Sequence, residues 1–396
     1  MMAAPGLRAD WRHSIDRPFL VESRPMIAAS LLLAFTQTAA PPPPYAVPPT
    51  RCYSSREIAL DWRDGTRAIR IAGSLTTPRG GGPRPTIVMI TGSGDHIRDQ
   101  IISGVPMFGL IADSLARAGY NVVRTDARGF GAATIDGRTL DPPGWLQITS
   151  PERYRDNQRL LDWLVTQPGV AQGGLILLGH SEGAMLAARL AADRNDIALS
   201  ILLSDSTAPG YEVFARQRTN VATRDGASPE VAARLHQLLL ELAAFLSRDP
   251  GNDARFERLA TRFREAQAGM TRPVFDRDFL EFHRTGSPWH IWWMGYDPWP
   301  DLSRITSPVL AIWGARDDAT EWRTHAPILA RALSAAGNPD FAVHILPDQD
   351  HFFLEYEGRR VDRHPWARTR ISNELQALLL GELERRFGPR GRACAD

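Results

Sequence analysis

Leu175-Ile176-Leu177-Leu178 runs directly into Gly179-His180-Ser181-Glu182-Gly183, after which Ala184, Met185, Leu186 and Ala187 begin a helix. A serine flanked in this way sits in a strained bend between strand and helix. The bend lifts its hydroxyl above the sheet edge, and glycine is needed on both sides because larger side chains would collide there. A hydroxyl is a weak nucleophile at neutral pH, so a base must take its proton and an acid must hold that base in the right tautomer. The sequence offers both downstream. The apolar run 309–313 ends in Gly314-Ala315-Arg316-Asp317-Asp318, and the run 341–346 ends in Pro347-Asp348-Gln349-Asp350-His351. A carboxylate and an imidazole at the carboxyl ends of parallel strands lie where ligands bind in open α/β sheets. Asp317 is the expected acid, with Asp318 its nearest rival, and His351 the expected base. His344 lies inside its strand and reads as a core or sheet-face histidine. Neither His180 nor His290 needs a catalytic role, and Asp348 and Asp350 read as solvated loop charges.

Such a nucleophile attacking a carbonyl would develop negative charge on oxygen, which two backbone N–H groups should face. After the run 87–90 comes the glycine-rich bend Thr91-Gly92-Ser93-Gly94. The amides of Ser93 and Glu182 are the expected donors, Glu182 acting through its main chain. Between positions 287 and 300 stand Trp289, His290, Trp292, Trp293, Tyr296 and Trp299. These rings read either as packing or, for Trp289, Trp292 and Trp293, as walls of an apolar substrate pocket. Glu241, Asp276, Asp278 and Glu281 offer the alternative of recognising a free amino group.

These residues need a frame that brings distant strand ends to one edge. Apolar runs at 86–90, 121–123, 175–178, 199–203, 309–313 and 341–346 alternate with helical stretches, the pattern of a parallel sheet covered on both faces. Ahead of them, β-type runs at 57–62 and 66–75 flank Asp64-Gly65, a hairpin signal. Residues 211–286 break the rhythm. That stretch is long, polar and helix-periodic (Val231, Leu235, Leu238, Leu239, Leu242, Phe245), which predicts a helical cap inserted into an α/β core.

The chain has 396 residues, 43% hydrophobic and 23% charged, and a formal net charge of +1. That composition is of a folded protein, and the charge balance argues against nucleic acid as the main partner. All 46 basic residues are arginine, which excludes a lysine Schiff base, a Ser-Lys dyad and a Gly-Lys-Ser/Thr phosphate loop. Cys52 and Cys394 are the two cysteines. They cannot form a zinc ribbon or a Cys-x-x-Cys pair, but can form a disulfide in an oxidising compartment.

Taken together, TGSGDHIRD at 91–99, DARGFG at 126–131, GHSEG at 179–183, YDP at 296–298, the stretch 314–317 and His351 resemble the α/β-hydrolase superfamily. Within it the chain looks like the capped bacterial esterases and serine aminopeptidase-like hydrolases. The resemblance spans about residues 56–360 and shares the chain order Ser, Asp, His. It implies a mostly parallel central sheet with helices on both faces and an inserted helical cap. It also implies a Ser181-Asp317-His351 triad with no metal and no cofactor. One departure is Thr91-Gly92, where many relatives have His-Gly. Asp126 and Arg128 are expected to brace their loop as a charged pair. The expected division is a signal-like segment and proline-rich spacer over 1–50, core over 51–208, cap over 209–299 and the rest of the core over 300–396.

The expected reaction is hydrolysis of a carboxylic ester with a short or medium acyl chain or an aromatic portion, through an acyl-enzyme. Aminopeptidase-like, thioesterase and acyltransferase chemistry are alternatives on the same triad, and a non-catalytic binding protein is the rival of another class. At the amino end, the apolar run 26–35 (MIAASLLLAF) follows Arg8, Arg12, Arg17 and Arg24 and precedes Thr38, Ala39 and Ala40. This reads as an export signal, being about half the length of a membrane-spanning helix. A periplasmic or secreted protein acting on a small-molecule ester is therefore expected, with a cytoplasmic one as the alternative.

Overall fold

Side chains along each central strand divide between two cores, as the two-residue period of a pleated strand requires. Val88, Ile90, Leu175, Leu177, Val309, Ala311 and Trp313 enter one hydrophobic cluster, while Ile87, Met89, Ile176, Leu178, Leu310 and Ile312 enter another. A strand buried on both faces cannot alternate apolar with polar residues. This is why the sequence shows continuous apolar runs here.

The structure is a computed structural model and describes residues 50–102, 104–285, 287–356 and 368–390. The signal-like segment and most of the proline-rich spacer lie outside the described residues, as does Cys394. The main sheet contains β1 (Tyr53–Asp64), β2 (Arg67–Pro78), β3 (Arg84–Ile90), β4 (Asn121–Thr125), β5 (Val170–His180), β6 (Ile197–Leu203), β7 (Val309–Gly314) and β8 (Phe341–Leu346). Their spatial order is β1-β2-β4-β3-β5-β6-β7-β8, and the short strand Thr134–Ile135 pairs with β2 off this path. The β1-β2 hairpin turns at Gly65 and β2 pairs antiparallel with β4, whereas β4, β3, β5, β6, β7 and β8 run parallel. The chain therefore folds as an α/β-hydrolase.

One face is covered by α1 (Met107–Arg117) and α11 (Asn373–Phe387), the other by α2 (Ser150–Leu164), α3 (Glu182–Asp193) and α10 (Trp322–Ala335). Helix α2 opens with a capping box, in which Thr149 and Glu152 satisfy each other's backbone N–H groups, and Pro151 stands in its first turn. Between β6 and β7 come α4 (Gly210–Arg224), α5 (Pro229–Arg248), α6 (Asp253–Ala266), α7 (Arg277–Thr285), α8 (Pro288–Gly295) and the short α9 (Trp299–Leu302). Leu235, Leu238, Leu239, Leu242, Phe245, Phe256 and Phe263 are all buried in a cluster of this segment's own. Each such burial is worth roughly 1.5–3 kcal/mol, so the inserted helices carry a core separate from the sheet's. The two crossings meet where the Gly210 N–H donates to the Tyr296 carbonyl at 2.9 Å.

One local expectation is corrected. Asp126 and Arg128 do not pair with each other. Asp126 is bound by Arg98 at 2.9 Å, and Arg128 by Asp156 and Asp64, both at 2.7 Å. The turn is braced from three different elements because each buried charge needs a partner at its own position. His344 stands exposed on β8, the edge strand of the path, on a sheet face, which is one of its two expected positions.

Candidate active site

Ser181 has φ 56° and ψ −121° at the junction of β5 and α3. A non-glycine residue in the left-handed region costs energy and persists only where its surroundings hold it. Those surroundings are backbone. A Cβ on Gly179 would lie 2.1 Å from the Gly183 carbonyl oxygen, and one on Gly183 would lie 2.0 Å from that of Ile90. Neither contact is possible, so both glycines are fixed by the close approach of β3, β5 and α3. The Ser181 N–H donates to the Leu203 carbonyl at 2.9 Å, tying the bend to β6.

His351 and Asp317 meet directly, with 2.9 Å between Nδ1 and Oδ2. The Asp317 carboxylate also accepts from the Ala319 and Thr320 backbone N–H groups at 2.9 and 2.8 Å and from the Thr320 hydroxyl at 2.8 Å. Burial alone would raise its pKa. The His351 charge and these hydrogen bonds outweigh burial and hold Asp317 well below the usual carboxylate range. For His351, burial alone would lower the pKa, and the Asp317 charge and hydrogen bond outweigh it, leaving the imidazole above its ordinary value. Asp318 is exposed and pairs with Arg224. Asp348 pairs with Arg316 at the surface, and Asp350 accepts from the Phe352 N–H. Among the described residues no hydrogen bond joins Ser181 to His351; catalytic contacts of this kind are often long before substrate arrives.

What links His351 to the Ser181 bend is His180, a residue that sequence reasoning left without a role. Gln100 Oε1 accepts from the Gly92 N–H at 3.0 Å, so its Nε2 donates to His180 Nδ1 at 2.7 Å. His180 Nε2 then donates to the His351 carbonyl at 2.8 Å. This chain needs a neutral His180. Burial, followed by the charge of His351, pushes its pKa down to about 3.

The same chain occupies the Gly92 N–H, leaving Ser93 as the next amide of the bend. Glu182, as first residue of α3, has a backbone N–H without an intrahelical acceptor. Both expected oxyanion donors thus stand in the loop and helix end that adjoin Ser181. The Glu182 carboxylate, for which the sequence offered no role, is buried. It accepts from the Ser150 hydroxyl at 2.5 Å, Arg153 at 2.6 Å and the Trp289 indole N–H at 3.0 Å. Arg153 escaped sequence reasoning altogether; the Thr149/Glu152 capping box could have placed it in the first turn of α2, but nothing local indicated its contacts.

Trp289 also meets Trp145 edge-on at 4.7 Å and stacks on Trp293 at 5.0 Å, while Trp292 stacks on Tyr296 at 4.8 Å. Trp289 and Trp293 are buried in the hydrophobic cluster of the inserted helices, against which Trp292 packs. A small cavity between the loop after β3 and α8 is lined by Gly94, Phe130, Trp145, Ile148, Arg153 and Trp289, among others. Of the acidic residues on the inserted helices and their connections, Glu241 pairs with Arg262, Asp276 accepts from the Phe279 N–H, Glu281 lies 3.7 Å from Arg284 and Asp278 is exposed. No group of three or more His, Cys, Asp or Glu side chains that could hold a metal ion occurs among the described residues.

Residues 87–363 match the family described as "Alpha/beta hydrolase family". Esterase EstD of Thermotoga maritima is 29% identical over 147 residues, a stretch covering 37% of this chain and 33% of that protein. The chain thus matches about a third of the length of this curated relative. Among solved structures, an esterase of Pyrococcus furiosus aligns with TM-score 0.48 and 15% identity over 87% of this chain and 97% of its own. Est1E of Butyrivibrio proteoclasticus, with ferulic acid bound, aligns with TM-score 0.45 and 13% identity over 81% and 96%.

Proposed function

Because this chain belongs to the alpha/beta hydrolase family, we propose that it is a serine hydrolase cleaving a carboxylic ester through an acyl-enzyme on Ser181. The observation that carries this reading is the left-handed Ser181 at the head of α3, beside a hydrogen-bonded His351–Asp317 pair. In the reading, neutral His351 takes the Ser181 proton as the oxygen attacks the ester carbonyl. Asp317 stays ionised and stabilises the imidazolium that forms. The tetrahedral oxyanion is met by the Ser93 and Glu182 amides, and its collapse transfers the proton from His351 to the departing alkoxide. Water then repeats the sequence on the acyl-enzyme, His351 again acting as base.

An ester with a short or medium acyl chain or an aromatic portion suits the site better than a peptide amino terminus. A buried ammonium would need an uncommitted carboxylate beside it. Glu241 is instead ion-paired, Asp276 caps a backbone N–H, Glu281 lies 3.7 Å from Arg284 and Asp278 is exposed, while Phe130, Trp145 and Trp289 line the small cavity beside Gly94 together with Arg128, Arg153 and Glu182. Rates on nitrophenyl acetate, butyrate and octanoate, set against proline and alanine nitroanilides with Ser181→Ala as control, test this. The esters should turn over faster; faster nitroanilides would replace the esterase reading with a peptidase one.

Export is part of the same reading. It is supported by the signal-like run at 26–35 with the arginines that precede it. Fractionation of cells expressing the full chain, with sequencing of the mature amino terminus, checks it. An uncleaved cytoplasmic protein would refute it.

A further inference from the structure

Arg153 projects from the first turn of α2 into the space between the β3 loop and the head of α3. Its Nη1 donates to the Gly92 carbonyl at 3.0 Å and to Glu182 Oε2 at 2.6 Å; its Nη2 donates to the Thr91 carbonyl at 2.6 Å and to the Thr91 hydroxyl at 3.0 Å. The Glu182 side chain is buried and that of Arg153 nearly so, with exposures of 4% and 11%. A planar guanidinium with several donors in fixed directions can grip two carbonyls and a carboxylate together, which an ammonium cannot do in the same geometry.

What Arg153 grips determines where the loop amides point. A peptide unit is planar and trans, so its C=O and the following N–H point in opposite directions. Fixing the Gly92 carbonyl toward Arg153 therefore aims the Ser93 N–H away from Arg153. The preceding unit is held at both ends, its Thr91 carbonyl by Arg153 and its Gly92 N–H by Gln100. On the other side, Arg153 holds the side chain of Glu182, whose own N–H opens α3. The second oxygen of that carboxylate accepts from Ser150 and from Trp289 of the cap. One guanidinium thus fastens the peptide unit that carries the Ser93 amide and the side chain of the residue that carries the other amide, and Trp289 touches the same carboxylate.

We propose that Arg153 and Glu182 are positioning residues that set the Ser93 and Glu182 amides against the reaction's oxyanion and join that setting to the cap through Trp289. The inference rests on the serine-hydrolase reading above. It assigns the pair a role in the transition state: the loop must be aimed when charge develops on oxygen, whereas ground-state binding of a neutral ester makes little demand on it.

The test measures kcat and KM on nitrophenyl acetate for the wild type, Arg153→Met, Glu182→Gln and Ser181→Ala, with active sites counted by end-point labelling with a fluorophosphonate. The affinity of a trifluoromethyl ketone, which binds as a tetrahedral oxyanion, is measured alongside. Loss of one oxyanion donor costs on the order of 10²- to 10³-fold in kcat. Arg153→Met should approach that loss per labelled site with KM within about threefold, and ketone affinity should weaken in parallel. Glu182→Gln, nearly the same shape, should lose at least about tenfold in kcat per site, and it keeps the question open to measurement if Arg153→Met does not fold. A merely structural role would lower the number of labelled sites and the melting temperature while leaving kcat per site unchanged. That result, or a loss confined to KM, or Glu182→Gln within threefold of wild type, overturns the inference while Ser181→Ala remains inactive. Turnover by Ser181→Ala would instead overturn the functional reading beneath it.

Discussion

At the scale of single residues, the decisive contrast is between two adjacent aspartates. Asp317 is 4% exposed and hydrogen-bonded to His351, whereas Asp318 faces solvent and pairs with Arg224. Asp317→Asn should lower kcat/KM by at least the roughly 10²-fold expected when general-base catalysis is impaired, and Asp318→Asn should stay within about threefold. The reverse result in steady-state assays would move the acid to Asp318. The pH profile follows from the same pair. The base works only when neutral, so activity is absent below the His351 pKa and complete above it. Because Asp317 raises that pKa, the kcat/KM midpoint should lie above about 6.5, the value of an unperturbed imidazole. Asp317, held low, stays ionised across the whole rise. A midpoint below 6, or a profile flat from pH 5 to 9, would contradict the assignment.

At the scale of elements, the Ser181 bend was legible because strand, bend and helix are contiguous in sequence and the glycines mark where backbones touch. Gly183→Ala tests that contact. Its Cβ would need Ile90 of β3 to withdraw, so thermal unfolding should show a loss at or above the roughly 1–3 kcal/mol typical of overpacking, together with loss of activity. A variant with wild-type stability would show that α3 does not press on β3 as described. The meeting of Asp317 and His351 was legible too, since each follows an apolar parallel strand and the strand ends share one edge. Arg153 and Gln100 were not. Arg153 acts on Thr91, Gly92 and Glu182, and Gln100 acts on His180, across separations set only by the sheet order. No local pattern of apolar residues or turn chemistry records a long-range hydrogen bond. The pairing expected between Asp126 and Arg128 failed for a related reason, because neighbours in sequence at a tight turn can point to different elements.

For the whole molecule, the inserted helices and the sheet meet at the site, with Trp289 touching the carboxylate of Glu182 and Trp145 packing against Trp289. Trp289→Ala should enlarge the space beside Gly94, lower kcat/KM on every ester, and shift preference toward the longer chains in an acetate, butyrate and octanoate series. An unchanged preference would mean that the aromatic cluster is packing alone. The central claim, that Ser181 carries the acyl group, is tested most directly by treating the full chain with a fluorophosphonate and locating the adduct by mass spectrometry of its peptides. One adduct on Ser181, abolished together with ester hydrolysis in Ser181→Ala, is the expected result. An adduct on another residue, or ester turnover that survives complete modification of Ser181, would contradict it.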